Sequence, residues 1–378
     1  MNILIAPNTM KGSLSAADFS KVIENAFRSV SPIFKTRRLP IADGGDFTGP
    51  ILNEALGAEV ITIKVFDPLG RPVVASFGVA GKTAVIEMAS ASGLSLLSVN
   101  ELNPEKTTTY GTGQLFKRAL DLGCEKIILG VGGSATVDGG IGLLDALGFK
   151  FFDKQGTMLP GWATSLHAVH RVELPSEIKN NPEIIILCDV NNPLLGDNGA
   201  AKVFGPQKGA DHEMIIRLEE GLKNWIGVLE SISGKDLRDV KGMGAAGGIS
   251  SALMAFFNAT PIIGAEYIFD ILNLDRHLDW ADWVITGEGR IDAQSLALKA
   301  PIVLAARAKD AAKPVIALAG SIEGKIDQLY DAVFSIVKGP VSLEESMLNA
   351  SDLVYFTARQ IAGLLLRSSF TNPHLSDT

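Results

Sequence analysis

The chain has 378 residues, 47% of them hydrophobic and 20% charged, and a formal net charge of −8. That length favours two domains over one core. No apolar run is long enough to cross a bilayer, and an acidic chain without a long basic run argues against nucleic acid as a partner. Met1 is followed directly by the strand-like Ile3-Leu4-Ile5, without a secretory signal, so a cytoplasmic location is expected, and Cys124 and Cys188 read as reduced core thiols.

Asn2 to Ala6 reads as a short apolar strand. Phe19, Val22, Ile23, Ala26, Phe27 and Val30 then recur at helical spacing behind Ser15 as N-cap. A second strand starts at Arg37, and this opening ends at Ala42-Asp43-Gly44-Gly45, where a parallel sheet would place a ligand loop. Val60 to Val65, Val73 to Val79 and Thr83 to Glu87 read as an antiparallel meander, with Asp67-Pro68-Leu69-Gly70 as a turn. A helix over about Gly113 to Leu122 leads into a strand at Lys126 to Gly130, a second helix follows Asp138, and Glu183 to Val190 is a buried strand. Ile215, Leu218, Leu222, Trp225, Ile226 and Leu229 mark one face of a long helix. From about Tyr267 the alternation of strand and helix resumes, with strands near Trp283 to Gly287, Pro314 to Gly320 and Ala332 to Ile336. With the N-terminal pair these make about five, which suits a doubly wound sheet built from both termini with the middle of the chain inserted into it.

Five glycine-bearing tracts hold nearly all the chemically useful side chains: Pro7 to Ser13, Ala42 to Asp46, Gly130 to Gly140, Phe204 to Gly209 and Thr286 to Asp292. Loops lacking Cβ atoms let backbone N–H groups close on an anion, so several in one chain point to a phosphate-handling enzyme. Gly81-Lys82-Thr83 ends like a Walker loop, but Ser76 stands where its first glycine belongs, and Ala135 replaces the third glycine of a dinucleotide fingerprint. In Gly132-Gly133-Ser134-Ala135-Thr136-Val137-Asp138-Gly139-Gly140, the helix start and exposed N–H groups are expected to hold phosphate, with Ser134 and Thr136 donating hydrogen bonds. The bland alternative is a turn capped by Asp138. Asp43, Asp46 and Asp189 sit at loop or strand ends, which suits magnesium binding or proton abstraction. Lys11 and Lys208 are lysines on stiff loops, and Arg290 lies between Glu288 and Asp292 with a planar fork suited to a carboxylate or phosphate. The five histidines show no metal spacing.

In this order the tracts resemble the bacterial (type II) glycerate kinase family. The matching stretches include Lys11 to Ala16, Leu39 to Gly45, Thr107 to Gly111, Gly132 to Gly140, Cys188 to Gly196, Val203 to Gly209, Gly244 to Gly248, Ile285 to Asp292 and Ala317 to Ser321. The resemblance implies transfer of the ATP γ-phosphoryl group, with Mg²⁺, to a hydroxyl of D-glycerate, usually the 2-hydroxyl. It also implies a flavodoxin-like domain carrying a second, mixed-sheet α/β domain as an insertion. Residues 1–45 and 265–378 are assigned to the first domain and 46–264 to the second, with an active-site cleft between them that closes around substrate. On that basis Asp189, Asp43 and Lys208 are the expected catalytic residues, Asp43 and Asp189 doubling as metal ligands. Lys11, Ser13, Arg290, Glu288 and Asp292 are expected at the substrate, and Gly132, Gly133, Ser134, Thr136 and Gly139 at the nucleotide. A monomer or homodimer without membrane or nucleic-acid partners is expected. The sequence departs from the family pattern at Asn8, at Asp46-Phe47 and at Leu298. A catalytically silent homologue and a nicotinamide dehydrogenase are the competing readings.

Overall fold

The computed structural model describes residues 1–45, 47–176, 181–238, 240–292, 299–324 and 329–371. They form two compact units, Met1–Ala42 with Ile268–Thr378, and Asp43–Tyr267. The first unit opens with β1 (Asn2–Ile5) and β2 (Lys35–Arg38). The second holds β3 (Glu59–Phe66), β4 (Pro72–Ala80), β5 (Thr83–Glu87), β6 (Lys126–Gly130), β7 (Lys150–Phe152), β8 (Met158–Leu159), β9 (Arg171–Glu173), β10 (Glu183–Cys188) and β11 (Asn258–Ile263). The chain then returns to the first unit for β12 (Trp283–Asp292), β13 (Val315–Glu323) and β14 (Ala332–Ser335).

In the first unit the sheet order is β14-β13-β12-β1-β2, with every neighbouring pair parallel. Counting only this unit's strands, that is the 2-1-3-4-5 order of a flavodoxin-like doubly wound sheet. Helix Ala16–Val30 forms behind Ser15, whose side chain accepts from the Asp18 N–H, and it buries Phe19, Ile23 and Phe27 completely. Each such side chain contributes roughly 2 kcal/mol of burial, which a fifteen-residue helix needs because alone it is marginal in water. Val354, Ala358 and Ile361 of helix Ala350–Thr371 belong to the same core.

The strand expected to end at Gly287 instead runs on to Asp292. Parallel pairing with β13 carries the ladder through Arg290↔Ser321 and Asp292↔Glu323, so the last glycine tract is a strand and not a loop. Glu288, Arg290 and Asp292 consequently share one face.

The second unit carries the mixed sheet β11-β10-β6-β5-β4-β3. The β3, β4 and β5 pairings are antiparallel as expected, and β5, β6, β10 and β11 pair in parallel. Asp67 fixes the first hairpin by accepting from the N–H groups of Leu69 and Arg71, both at 2.9 Å. Gly81-Lys82 is the second hairpin's turn, which disposes of the Walker reading. Helix His212–Ser233 is capped by Asp211 and buries Leu218, Leu222, Trp225, Ile226 and Leu229. A small antiparallel sheet, β8-β7-β9, completes the unit. No helix among the described residues is long and apolar enough to cross a membrane.

Candidate active site

Asp43 opens the second unit, and the loop behind it is pressed onto the end of β10. Gly44 has φ of 93°, and a Cβ there would lie 2.7 Å from the Leu187 carbonyl oxygen, so this contact requires glycine. Gly45 donates its N–H to Asp43 Oδ1 at 3.1 Å, and Thr48 Oγ1 accepts from Gly44 at 3.1 Å while donating to the Gly45 carbonyl at 2.9 Å. The place a Gly45 Cβ would occupy is 2.9 Å from Asp43 Oδ1 and 3.7 Å from Asp189 Oδ2. Asp189 directly follows β10, so carboxylates from distant stretches flank one bare glycine. Among the described residues no cluster of three or more His, Cys, Asp or Glu could hold a metal. A carboxylate pair that leaves its other positions to water and phosphate oxygens fits Mg²⁺ rather than an all-protein cage. Cys188, beside Asp189, is buried and its thiol is pushed up to about 12 by burial and by that carboxylate, so it stays a protonated core residue.

Beyond β6 the chain enters Val131 to Gly140. Gly132 and Gly133 are half-buried, whereas Ser134 is 6% exposed and Thr136, Asp138, Gly139 and Gly140 lie deeper. Gly132 donates to the Gly44 carbonyl at 3.2 Å, which ties this tract to the Asp43 loop. Asp138 accepts from Thr109 N and Oγ1 at 2.7 and 2.8 Å, from Gly140 at 3.1 Å and from Gly142 at 3.4 Å. Burial pushes its carboxyl above the usual range against these four donors. The expected use of this helix start for phosphate is therefore corrected: the Asp138 carboxylate takes the Gly140 and Gly142 N–H groups, the Asp138 carbonyl takes that of Ile141, and Thr109 Oγ1 takes that of Leu143. Gly139 is likewise a packing residue. It donates to Gly247, accepts from Trp225 Nε1 at 2.9 Å, and has no room for a Cβ, which would come within 2.5 Å of that ring.

Lys208, on the turn Pro206–Lys208, is 2% exposed. Its ammonium donates to Ser134 Oγ at 2.8 Å and to the Thr136 carbonyl at 2.7 Å. Burial lowers its pKa to about 7, while Asp138 opposes that shift. Thr136 thus contributes through its carbonyl, and its own Oγ1 is buried without a hydrogen-bond partner among the described residues.

The first unit gathers the other expected residues at the switch point of its sheet, where ligands of doubly wound folds bind. Asn8 donates its N–H to the Gly287 carbonyl at 2.8 Å, holding the loop after β1 along β12. A Gly289 Cβ would lie 3.8 Å from Lys11 N, so the Lys11 backbone runs beside the strand segment that carries Glu288 and Arg290. Ser13 Oγ donates to the Met10 carbonyl at 3.2 Å. Arg290, 58% exposed, reaches Glu323 at 2.7 Å and Asp292 at 3.5 Å. Glu288 is buried and lies 3.6 Å from Lys299 Nζ. Glu323 and Lys299 escaped sequence reasoning: strand pairing alone brings Glu323 opposite Asp292, and Lys299 looked like an ordinary residue before a helix. Asp46 and Leu298 lie outside the described residues. Phe47 is half exposed in the left-handed region, with φ of 65°, and donates its N–H to Glu87 Oε1 at 2.5 Å.

Comparison with known proteins gives this arrangement a class. The sequence profile of the Glycerate kinase family matches residues 3–366. The chain is 43% identical over 371 residues to a glycerate kinase of Bacillus subtilis (strain 168), covering 96% of this chain and 97% of that protein. It is 42% identical over 373 residues to a protein of Escherichia coli (strain K12) named glycerate 2-kinase, covering 97% and 98%. A crystal structure of a protein assigned as glycerate kinase 2 of Salmonella typhimurium LT2 superposes with a TM-score of 0.84 at 42% identity, over 98% of this chain and 99% of that one. The fold and the family profile define a kinase. The chain belongs to the glycerate kinase family.

Proposed function

We propose that the protein transfers the γ-phosphoryl group of ATP to the 2-hydroxyl of D-glycerate, giving 2-phosphoglycerate and ADP. The observation that carries this reading is the pairing of Asp43 and Asp189 across Gly45, in the same unit as the Ser134–Lys208 contact. The choice of the 2-hydroxyl draws on the name of the Escherichia coli relative.

Phosphoryl transfer passes through a loose transition state, so the protein's task is positioning and charge compensation. Asp189 accepts the proton of the attacking hydroxyl, and Asp43 is the metal ligand; the two carboxylates are near enough to one another for these roles to be exchanged. Bound Mg²⁺ would neutralise phosphate oxygens and hold them in line. The Gly132-Gly133 backbone and the Ser134 hydroxyl face the phosphates, and Lys208 behind Ser134 carries the compensating positive charge. In the first unit, Lys11 and Arg290 take the carboxylate of glycerate, with Asp292 and Glu323 holding the guanidinium.

The test is ADP release with D-glycerate, ATP and Mg²⁺, followed by ³¹P spectroscopy of the product. A 2-phosphoglycerate signal is expected. Exclusive 3-phosphoglycerate would reject the hydroxyl assignment, and no ATP-dependent product would reject the reading altogether.

A further inference from the structure

Helix Leu343–Leu348 lies in the first unit, between β14 and the long helix Ala350–Thr371. Ser342 caps it by accepting from the Glu345 N–H at 3.1 Å. With only 6 residues it has no stability of its own in water. It buries none of its side chains, and Leu343 and Leu348 are 77% and 81% exposed, so core packing does not explain where it sits. Its position comes from the helix that follows it: Val354, Ala358 and Ile361 share a core with Phe19 and Phe27 of helix Ala16–Val30. That packing brings the short helix beside the Lys11-Gly12-Ser13 turn, which precedes helix Ala16–Val30.

One side chain makes the contact. A Cβ on Gly12 would lie 2.5 Å from Met347 Cε, and apart from the adjoining residues no other described heavy atom comes within 4 Å of that position. Gly12 also has φ of 77°, so the turn needs glycine both for its left-handed backbone and for the room that the Met347 methyl takes. Methionine suits this partly exposed place, because an unbranched, polarisable side chain fills an irregular gap.

The turn itself is a closed unit. The Met10 carbonyl accepts from Ser13 N at 2.9 Å, from Leu14 N at 3.1 Å and from Ser13 Oγ at 3.2 Å. It rests on β12, where a Gly289 Cβ would lie 3.6 Å from Met10 Cα and 3.8 Å from Lys11 N. Gly289 adjoins Arg290, so this contact sets the spacing of the Lys11 backbone from the arginine, and the Met347 contact fixes how the turn is tilted on the strand. Two cations that must meet one small carboxylate are sensitive to such a tilt, since a misplacement of about 1 Å can cost roughly a hundredfold.

We propose that Met347 is a positioning residue for the substrate, holding the Lys11-Gly12-Ser13 turn so that the Lys11 ammonium and the Arg290 guanidinium meet one carboxylate. The inference rests on the proposed function, in which these two cations bind glycerate. Steady-state kinetics of Met347→Ala, Lys11→Met and the double variant, with D-glycerate and ATP varied separately, test it. Met347→Ala should raise the KM for D-glycerate about fivefold, with kcat and the KM for ATP within about twofold of the wild type. Lys11→Met should raise the KM for D-glycerate by about tenfold or more, and adding Met347→Ala should raise it no further, because a residue that acts through Lys11 then has nothing left to position. Where Lys11→Met turns over too slowly to assay, calorimetric titration with D-glycerate makes the same comparison. An unchanged KM for D-glycerate in Met347→Ala, or effects that multiply in the double variant, would overturn the positioning role. So would a parallel loss in kcat and in the KM for ATP, the mark of a general structural defect. Wild-type affinity for D-glycerate in Lys11→Met would instead remove the reading of Lys11 on which the inference rests.

Discussion

Replacing Lys208 by methionine should flatten the pH dependence of stability of the second unit. The folded chain holds this ammonium in a solvent-excluded slot, with its pKa lowered to about 7, whereas an unfolded chain keeps a lysine near 10.5. Between those values the unfolded state binds the proton that the folded state has released, so stability rises with pH. The penalty for burying the charge is fully present below pH 7 and is relieved as pH climbs. The limiting slope is about 1.4 kcal/mol per pH unit, so the rise from pH 7 to 8.5 should be about 1.5 kcal/mol. Above that window, Cys188, pushed up to about 12, acts in the opposite direction and would blur the slope. For a domain of this size the change corresponds to roughly 3–6 °C in Tm. Differential scanning calorimetry of both proteins at half-unit pH steps measures it. Methionine also strips the Thr136 carbonyl of its donor, but that loss is independent of pH and shifts the level, not the slope. Parallel pH profiles for the wild type and the variant would show that the ammonium is not held in the environment the structure describes.

Gly45→Ala should lower kcat by tenfold or more with a near-normal melting temperature, because the new methyl would lie 2.9 Å from Asp43 Oδ1 and 3.7 Å from Asp189 Oδ2; steady-state kinetics at wild-type rates would show that the carboxylate pair tolerates a spacer. Asp189→Asn keeps the shape but removes the proposed base, so kcat should fall by orders of magnitude while the KM for ATP changes little, and near-normal turnover would take Asp189 out of proton transfer. Ala312 has φ of 54° at an exposed position two residues beyond helix Ala300–Asp310. Ala312→Gly should stabilise the first unit by about 0.5–1 kcal/mol, the relief of a left-handed alanine less the extra chain entropy of glycine, and a lowered Tm would contradict this.

What could be read ahead of the structure was whatever a local pattern determines. The meander of β3 to β5 announces itself through alternation and the Asp67 to Gly70 turn, and the long helix through its apolar stripe. By contrast β11 contains Pro261 and has little buried surface, so its sequence argues against a strand. It exists because it is an edge, where a missing N–H can be tolerated. The two- and three-residue strands of the small sheet are too short to show a period. Candidate chemistry divides similarly. Asp43, Ser134 and Lys208 stand out as residue types in glycine tracts and Asp189 as a carboxylate at a strand end, but no spacing rule says that Asp43 and Asp189 flank one glycine or that Lys208 meets Ser134. The glycine tract around Asp138 looked uniform, yet tertiary contacts separate it into a half-exposed Gly132-Gly133 pair and a buried segment held by Trp225 and Thr109.

The placement of Lys208 also bears on how an acidic chain could handle an acidic ligand. With a net charge of −8 the protein has no general field to draw phosphate in, and the Asp43–Asp189 pair adds local negative charge. A surface lysine would be screened by water and salt and would pair with any nearby carboxylate. A lysine buried behind Ser134 is protected from both, at the cost of a depressed pKa. Under the proposed function, an arriving phosphate adds to the negative charge that Asp138 already supplies and draws the proton onto Lys208, so the cation is strongest when its ligand is present. The strain is borne by the free protein and relieved by the ligand, and this would make Lys208 a contributor to nucleotide affinity while it remains a liability to the fold.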